Sequence, residues 1–162
     1  KVSARQVSSN STILFYSLAY TLATLTAFAV FKLVSEHQTG RVEKPEHFQS
    51  FEGLAKSNPF LAFCFTVAML SLAGIPLTAG FWGKFFVFSD TFNRNIIYPV
   101  VLAILMSAVG IYYYFKGIIA VYFKQGEIEK IEVSPLYQVA LVLTTLGTLV
   151  LGLFPNIVKS LF

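Results

Sequence analysis

One lysine, Lys84, lies in the middle of a long apolar stretch, where its ammonium group could take up and release a proton. It is the only charged residue between Lys56 and Asp90. The residues just before it include several that interrupt helices, namely Gly74, Pro76, Gly80 and Gly83. A cation is costly in hydrocarbon, so an ionisable side chain at membrane depth indicates a functional site by default. We therefore take Lys84 as the first candidate for a proton-relay residue.

The residues alone leave two interpretations of Lys84 open. Near a helix end, its flexible stem could carry the ammonium to the lipid headgroups. Asp90, which with Arg94 marks a water boundary, follows six residues later, about 9 Å along a helix axis and slightly beyond comfortable reach. If Lys84 is enclosed instead, a modest change in its surroundings could load or release a proton.

A second lysine, Lys116, follows three consecutive tyrosines, Tyr112 to Tyr114. Tyrosines and a lysine near the end of a helix are typical of a membrane boundary, so interfacial anchoring is the simpler interpretation. A secondary place in a polar pathway, as a further proton-relay residue, is the alternative. Both interpretations remain open at the level of the sequence.

The composition assigns the chain to the membrane proteins. Hydrophobic residues make up 56% of the 162 residues and charged residues 12%, with a mean hydropathy of +0.68, whereas a soluble domain carries about 25% charged residues. The net charge of +4 comes mostly from connecting loops, which suits the flanks of membrane spans and indicates no nucleic-acid partner. The sequence begins at Lys1 without a leader, and we expect a piece of a longer polypeptide.

No pattern for metal, redox or hydrolytic chemistry is present in the sequence. Cys64, the single cysteine, lies in an apolar run and is interpreted as a small buried hydrophobic residue. His37 and His47 belong to a polar loop and lack a convincing metal-ligand spacing. A phosphate-binding loop, an iron–sulfur cysteine cluster and a catalytic triad are all missing. We therefore expect no cofactor in this chain.

Four apolar blocks predict an all-α, polytopic transmembrane helix bundle. They cover residues 11–33, 59–92, 96–123 and 136–161 and form a single membrane domain. The second block would be roughly 51 Å long as one straight helix, much longer than the ~30 Å of hydrocarbon. Pro76 lacks an amide hydrogen and its ring clashes with the carbonyl of Leu72. A discontinuous second span, broken near Gly74 to Thr78, is therefore predicted.

Small and hydroxylated residues recur at helical spacing in the first and last blocks. In the first block these are Ser17, Thr21 and Thr24, and in the last block Thr144, Thr148 and Gly152. Both patterns permit close packing against other helices. For each hydroxyl of the first block, a hydrogen bond back to its own helix is an equally good interpretation.

Three motifs together resemble a known family. The run LSLAGIPLTAGFWGKFFVF at 70–88 is followed by GIYYYFK at 110–116 and by LVLGLFPN at 149–156. This order is similar to the C-terminal part of the antiporter-like subunit N, or subunit 2, of respiratory complex I, the proton-pumping NADH:quinone oxidoreductase. Subunits of multi-subunit cation/proton antiporters and of membrane-bound hydrogenases share the broken-helix pattern.

The resemblance implies a subunit of about fourteen transmembrane helices with two inverted repeats, of which this chain supplies the eleventh to the fourteenth. Lys84 matches the lysine of the family's central hydrophilic axis. The resemblance also implies partners: other membrane subunits of the complex, the N-terminal part of the same subunit and the lipid bilayer. NADH, quinone, flavin and iron–sulfur clusters are expected only in the assembled complex. The location would be a bacterial inner membrane or an organellar energy-transducing membrane.

Three functions remain in competition. The first is proton translocation through Lys84, coupled to quinone reduction in other subunits. The second is a structural membrane segment in which Lys84 only extends to the headgroups. A cation carrier that uses the same broken helix is the third, because discontinuous helices commonly build ion sites.

Overall fold

The computed structural model describes residues 4–38, 48–94, 97–126 and 128–156, and within them every regular element is helical. A single turn of 3₁₀ helix, Phe48–Phe51, follows the first helix. The α-helices are α1 (Ala4–Gln38), α2 (Leu54–Ser57), α3 (Pro59–Ala73), α4 (Ala79–Phe92), α5 (Ile97–Phe123) and α6 (Pro135–Leu153). The predicted all-α transmembrane bundle is thus confirmed.

Among the described residues, three helices are long and apolar enough to cross a membrane, over Asn10–His37, Ile97–Phe123 and Pro135–Leu153. The last of them is shorter than the predicted block 136–161, whose residues 157–161 lie outside the described part of the chain. α6 ends at Leu153 because Pro155 cannot donate a backbone hydrogen bond and disfavours helical backbone at the residue before it. The bounds of the predicted block beyond residue 156 stay a prediction.

The second predicted block forms two helices, α3 and α4, separated by residues 74–78. α3 has 15 residues and α4 has 14, which gives about 22 Å and 21 Å of helix. Each half is shorter than the hydrocarbon layer, and the two together can cross it. The predicted discontinuous helix is confirmed at the predicted place.

α1 packs against both halves of the broken helix and against α6 through a line of small side chains. Ala19, Ala23 and Ala27 repeat every four residues and are buried. The hydroxylated line of the same helix points elsewhere: Thr21 and Thr24 are bonded to carbonyls of their own helix, and Ser17 is exposed. Packing against other helices and hydrogen bonds within the same helix were the two interpretations of these hydroxylated residues, and the structure supports the second.

α6 closes the bundle beside the interruption. At Gly152 a β-carbon would overlap the backbone of Leu77 and Thr78, so the helix can approach the break only because this residue is glycine. The Trp82 indole Nε1–H of α4 donates to the Gly152 carbonyl oxygen at 2.8 Å. That carbonyl lies in the last turn of α6, where helical carbonyls lack donors of their own helix. The contact fixes α6 to α4.

Candidate functional site

The end of α3 is built by Gly74, which adopts left-handed backbone geometry with φ 82° and ψ 38°. Its N–H donates to Leu70 and Ser71 carbonyl oxygens at 3.0 Å, and the Ile75 N–H donates to the Leu70 oxygen at 3.0 Å. This is the Schellman arrangement, in which a left-handed residue lets two amides return to the last turn of the helix. Glycine adopts that geometry without steric cost.

Two carbonyls of the same last turn remain, and Lys84 binds both. In a continuous helix the Leu72 carbonyl would accept from residue 76, but Pro76 has no N–H. The Lys84 ammonium donates to the Leu72 oxygen at 2.8 Å and to the Ala73 oxygen at 3.3 Å. Pro76 therefore creates the vacant acceptor that the lysine fills.

This position also suits the charge of Lys84. The carbonyl end of a helix carries a partial negative charge, which favours a cation there. Within the described residues no carboxylate forms an ion pair with Lys84, whereas Asp90 pairs with Arg94 at 3.4 Å. Lys84 is half-buried and turned to the backbone of α3. These contacts fit an enclosed lysine, and the role of Lys84 as a proton-relay residue stays a prediction.

A cleft of about 460 Å³ adjoins the lysine, between α1, α3, α4 and α5. Polar groups on its wall include Tyr16 and Tyr20 from α1 and Ser107 and Tyr114 from α5. Tyr20 and Tyr114 bring their hydroxyl groups from α1 and α5 to the same cleft. Liquid water occupies about 30 Å³ per molecule, so the cleft has room for several waters between these groups and the ammonium.

The remaining predicted site residues have different roles in the geometry. Gly80 lies in the first turn of α4, where a β-carbon would overlap the backbone of Ser71. Gly83 is buried against Tyr16 of α1 and belongs to helix packing rather than to the break. Lys116 is exposed on α5 and does not line the cleft beside Lys84.

Several polar residues of this site carried no recognisable signal in the sequence. Tyr16 and Tyr20 lie in an apolar helix, and Ser71 is an isolated serine in the span before the break. The spacing of these residues in the sequence does not show which side of their helix faces Lys84. Only the packing of α1, α3 and α5 against one another determines it. The described residues contain no group of three or more His, Cys, Asp or Glu side chains that could hold a metal ion.

Comparison with known proteins gives the family. The profile of the NADH:quinone oxidoreductase/Mrp antiporter transmembrane family matches residues 2–111. The NADH-quinone oxidoreductase subunit N of Flavobacterium psychrophilum is 39% identical over 151 residues, which are 93% of this chain and 32% of that protein. The F(420)H(2) dehydrogenase subunit N of Methanosarcina mazei is 38% identical over 88% of this chain and 30% of that protein.

A solved structure shares the fold. A chain of respiratory complex I from Thermus thermophilus with bound aureothin superposes with a TM-score of 0.76 and 35% sequence identity, over 95% of this chain and 35% of that one. The chain thus spans about a third of the length of the relatives that it matches. These matches confirm the family that the motifs around Pro76 and Lys84 indicate. The chain is an integral membrane protein and belongs to the NADH:quinone oxidoreductase/Mrp antiporter family.

Proposed function

We propose that this chain is part of a subunit N of an NADH:quinone oxidoreductase and that Lys84 exchanges protons along a path through the subunit. One observation carries the proposal: the Lys84 ammonium is bound to the Leu72 and Ala73 carbonyls of an interrupted helix, beside a cleft lined with hydroxyl groups. An ionisable group in this setting is expensive to maintain in a membrane, which argues for a function.

The chemistry follows from the donors of the lysine. An ammonium has three N–H donors, of which two are used by Leu72 and Ala73. The third can be given to a water or hydroxyl of the cleft, and it is this proton that would leave. A neutral amine retains two donors, so both carbonyls can stay satisfied after the transfer. The amine lone pair then accepts the next proton.

The tyrosine hydroxyls offer a route for that proton. Backbone carbonyls accept hydrogen bonds but do not carry a transferable proton, so the path has to run through the cleft. Tyr20 and Tyr114 can each accept and donate through one hydroxyl. A chain of waters and these hydroxyls would connect Lys84 with the rest of the subunit.

The electron-transfer chemistry would be carried by other chains of the assembly. We propose that this chain binds no redox cofactor and that its partners are other membrane subunits and the remaining part of the same subunit, with lipid on the outer surface. NADH, quinone, flavin and iron–sulfur clusters would act there. Lys116, exposed on α5, is assigned to anchoring at the membrane boundary.

The test uses the full-length subunit in its native complex, in inverted membrane vesicles that oxidise NADH. Lys84→Ala should lower proton uptake at least about tenfold, since a proton-transfer group contributes 10²–10⁴-fold, while the amount of assembled complex changes little. Lys116→Ala, the matched lysine deletion, should retain nearly full uptake. An unchanged number of protons taken up per NADH in Lys84→Ala would overturn the proposal.

A cation/proton antiporter is the second candidate, favoured by one observation. The two carbonyl oxygens that hold the ammonium are also the type of ligand that a sodium ion takes at an unwound helix. In that case uptake in the vesicles would depend on sodium. Equal rates with sodium and with choline salts would exclude the antiporter.

A further inference from the structure

The start of α4 is held by a residue of the other half-helix. The first amides of any helix lack partners within it, and a side chain of the residue before the helix usually accepts from one of them. Thr78 occupies that place but provides no such bond. Its hydroxyl donates instead to the Ile75 carbonyl oxygen at 2.7 Å. The first turn of α4 must therefore find an acceptor elsewhere.

Ser71 of α3 provides it. The Gly80 N–H donates to the Ser71 hydroxyl oxygen at 3.1 Å, across the interruption. Ser71 is 1% exposed, so bulk water does not compete for this contact. Gly80 is required for the approach, because a β-carbon there would overlap the Ser71 backbone. The bond ties the last turn of α3 directly to the first turn of α4.

This bond and the Lys84 contacts lie one helical turn apart. Gly80 and Lys84 are four residues apart on α4 and therefore share one face. On α3, Ser71 directly precedes the two residues whose carbonyls bind the ammonium. A small cavity of about 10 Å³ touches all of Ser71, Gly80 and Lys84, a space for at most one water. The two half-helices are thus joined at two neighbouring points.

We propose that Ser71 is a positioning residue for Lys84: its hydroxyl holds α4 against α3 in the register that brings the ammonium to the Leu72 and Ala73 carbonyls. The inference rests on the proposed role of Lys84 in proton exchange. Without the hydroxyl, the Gly80 amide loses its acceptor and the first turn of α4 separates from α3 more often. The Lys84 ammonium then spends less time at the Leu72 and Ala73 carbonyls, the position from which it can exchange a proton with the cleft.

The experiment compares Ser71→Ala with Thr66→Val in the full-length subunit of the native complex. Thr66 lies on the same helix, but its hydroxyl bonds to the Ala62 carbonyl of that helix and to the Tyr122 hydroxyl of α5, so its removal leaves the bonds across the break untouched. Two quantities are measured: protons taken up per NADH oxidised, and hydrogen–deuterium exchange of the amides in 79–85. A defect of folding alone would lower uptake and NADH oxidation together and leave their ratio unchanged.

Ser71→Ala should reduce protons per NADH at least about threefold and accelerate amide exchange in 79–85 by about fivefold, the effect of one lost hydrogen bond. Thr66→Val should change neither. If Ser71→Ala prevents assembly, Ser71→Cys gives the same comparison, since a thiol keeps the volume but is a weak acceptor. A ratio and an exchange rate equal to those of Thr66→Val would overturn the inference.

Lys84→Ala, measured in parallel, separates this inference from the proposed function. A normal ratio in Lys84→Ala contradicts the function itself. A low ratio in Lys84→Ala together with a normal ratio in the Ser71 variants contradicts only the positioning role. Low ratios in both, with NADH oxidation preserved, support the two statements together.

Discussion

The Lys84 ammonium donates a 2.8 Å hydrogen bond to the carbonyl oxygen of Leu72, on the other half of an interrupted helix. The contact joins two features that look unrelated in the sequence. Pro76 removes the amide that would have served Leu72, and the lysine supplies a charged donor in its place. Lys84, whose charge is the most costly to place in this span, thus donates to the Leu72 carbonyl, which the break leaves without a backbone donor.

Gly74 should tolerate no side chain. Its φ of 82° costs other residues about 1–2 kcal/mol, and a β-carbon would lie 3.1 Å from Cδ of Lys84. We expect Gly74→Ala to reduce the yield of assembled complex on native gels several-fold. Gly110→Ala is the matched control, since a β-carbon there meets only Tyr114, at an ordinary 3.5 Å. Equal yields for the two variants would contradict the role assigned to Gly74.

The cleft hydroxyls should affect pumping individually. Tyr114→Phe removes a hydroxyl from the wall of the cleft beside Lys84, and we expect proton uptake per NADH to fall about fivefold, the effect of one hydrogen bond in a transfer path. Tyr113→Phe removes the hydroxyl of an exposed neighbour on the same helix and should have no effect. An equal loss of proton uptake per NADH in both variants would contradict a specific role of the Tyr114 hydroxyl and indicate a general change in α5.

Trp82 should stabilise the bundle without taking part in proton transfer. Trp82→Phe deletes the donor to the Gly152 carbonyl, with an expected cost of about 1 kcal/mol. Thermal inactivation of the purified complex should then proceed about fivefold faster if that contact opens before inactivation. The number of protons per NADH, measured before heating, should stay normal. A lowered ratio with unchanged thermal inactivation would show that Trp82 belongs to the proton path.

The break could be predicted from the sequence because its causes are local. Pro76 lacks an amide hydrogen and Gly74 accepts left-handed backbone, and both properties belong to the residue itself. Pro155 carries the same local signal at the end of α6, yet the predicted block continued through it to 161.

The partners of Lys84 could not be predicted in this way. They are backbone carbonyls, which every residue possesses and no sequence pattern marks. On α1, the hydroxylated line and the alanine line have similar helical spacing. The structure buries the alanines Ala19, Ala23 and Ala27, because small side chains let the neighbouring helices approach closely. Packing between helices determines which of the two lines is buried, and it also places Tyr16 and Tyr20 beside the lysine.

Whether an amine at position 84 carries the proton can be tested by removing the amine and then restoring it chemically. In a full-length subunit whose other cysteines, including Cys64, are replaced, Lys84→Cys should assemble and pump poorly. Alkylation with 2-bromoethylamine converts that cysteine into a lysine analogue with sulfur in the side chain. We expect most of the proton uptake per NADH to return, in proportion to the conversion measured by mass spectrometry. Full conversion without recovery of uptake would show that the amine at position 84 does not carry the proton.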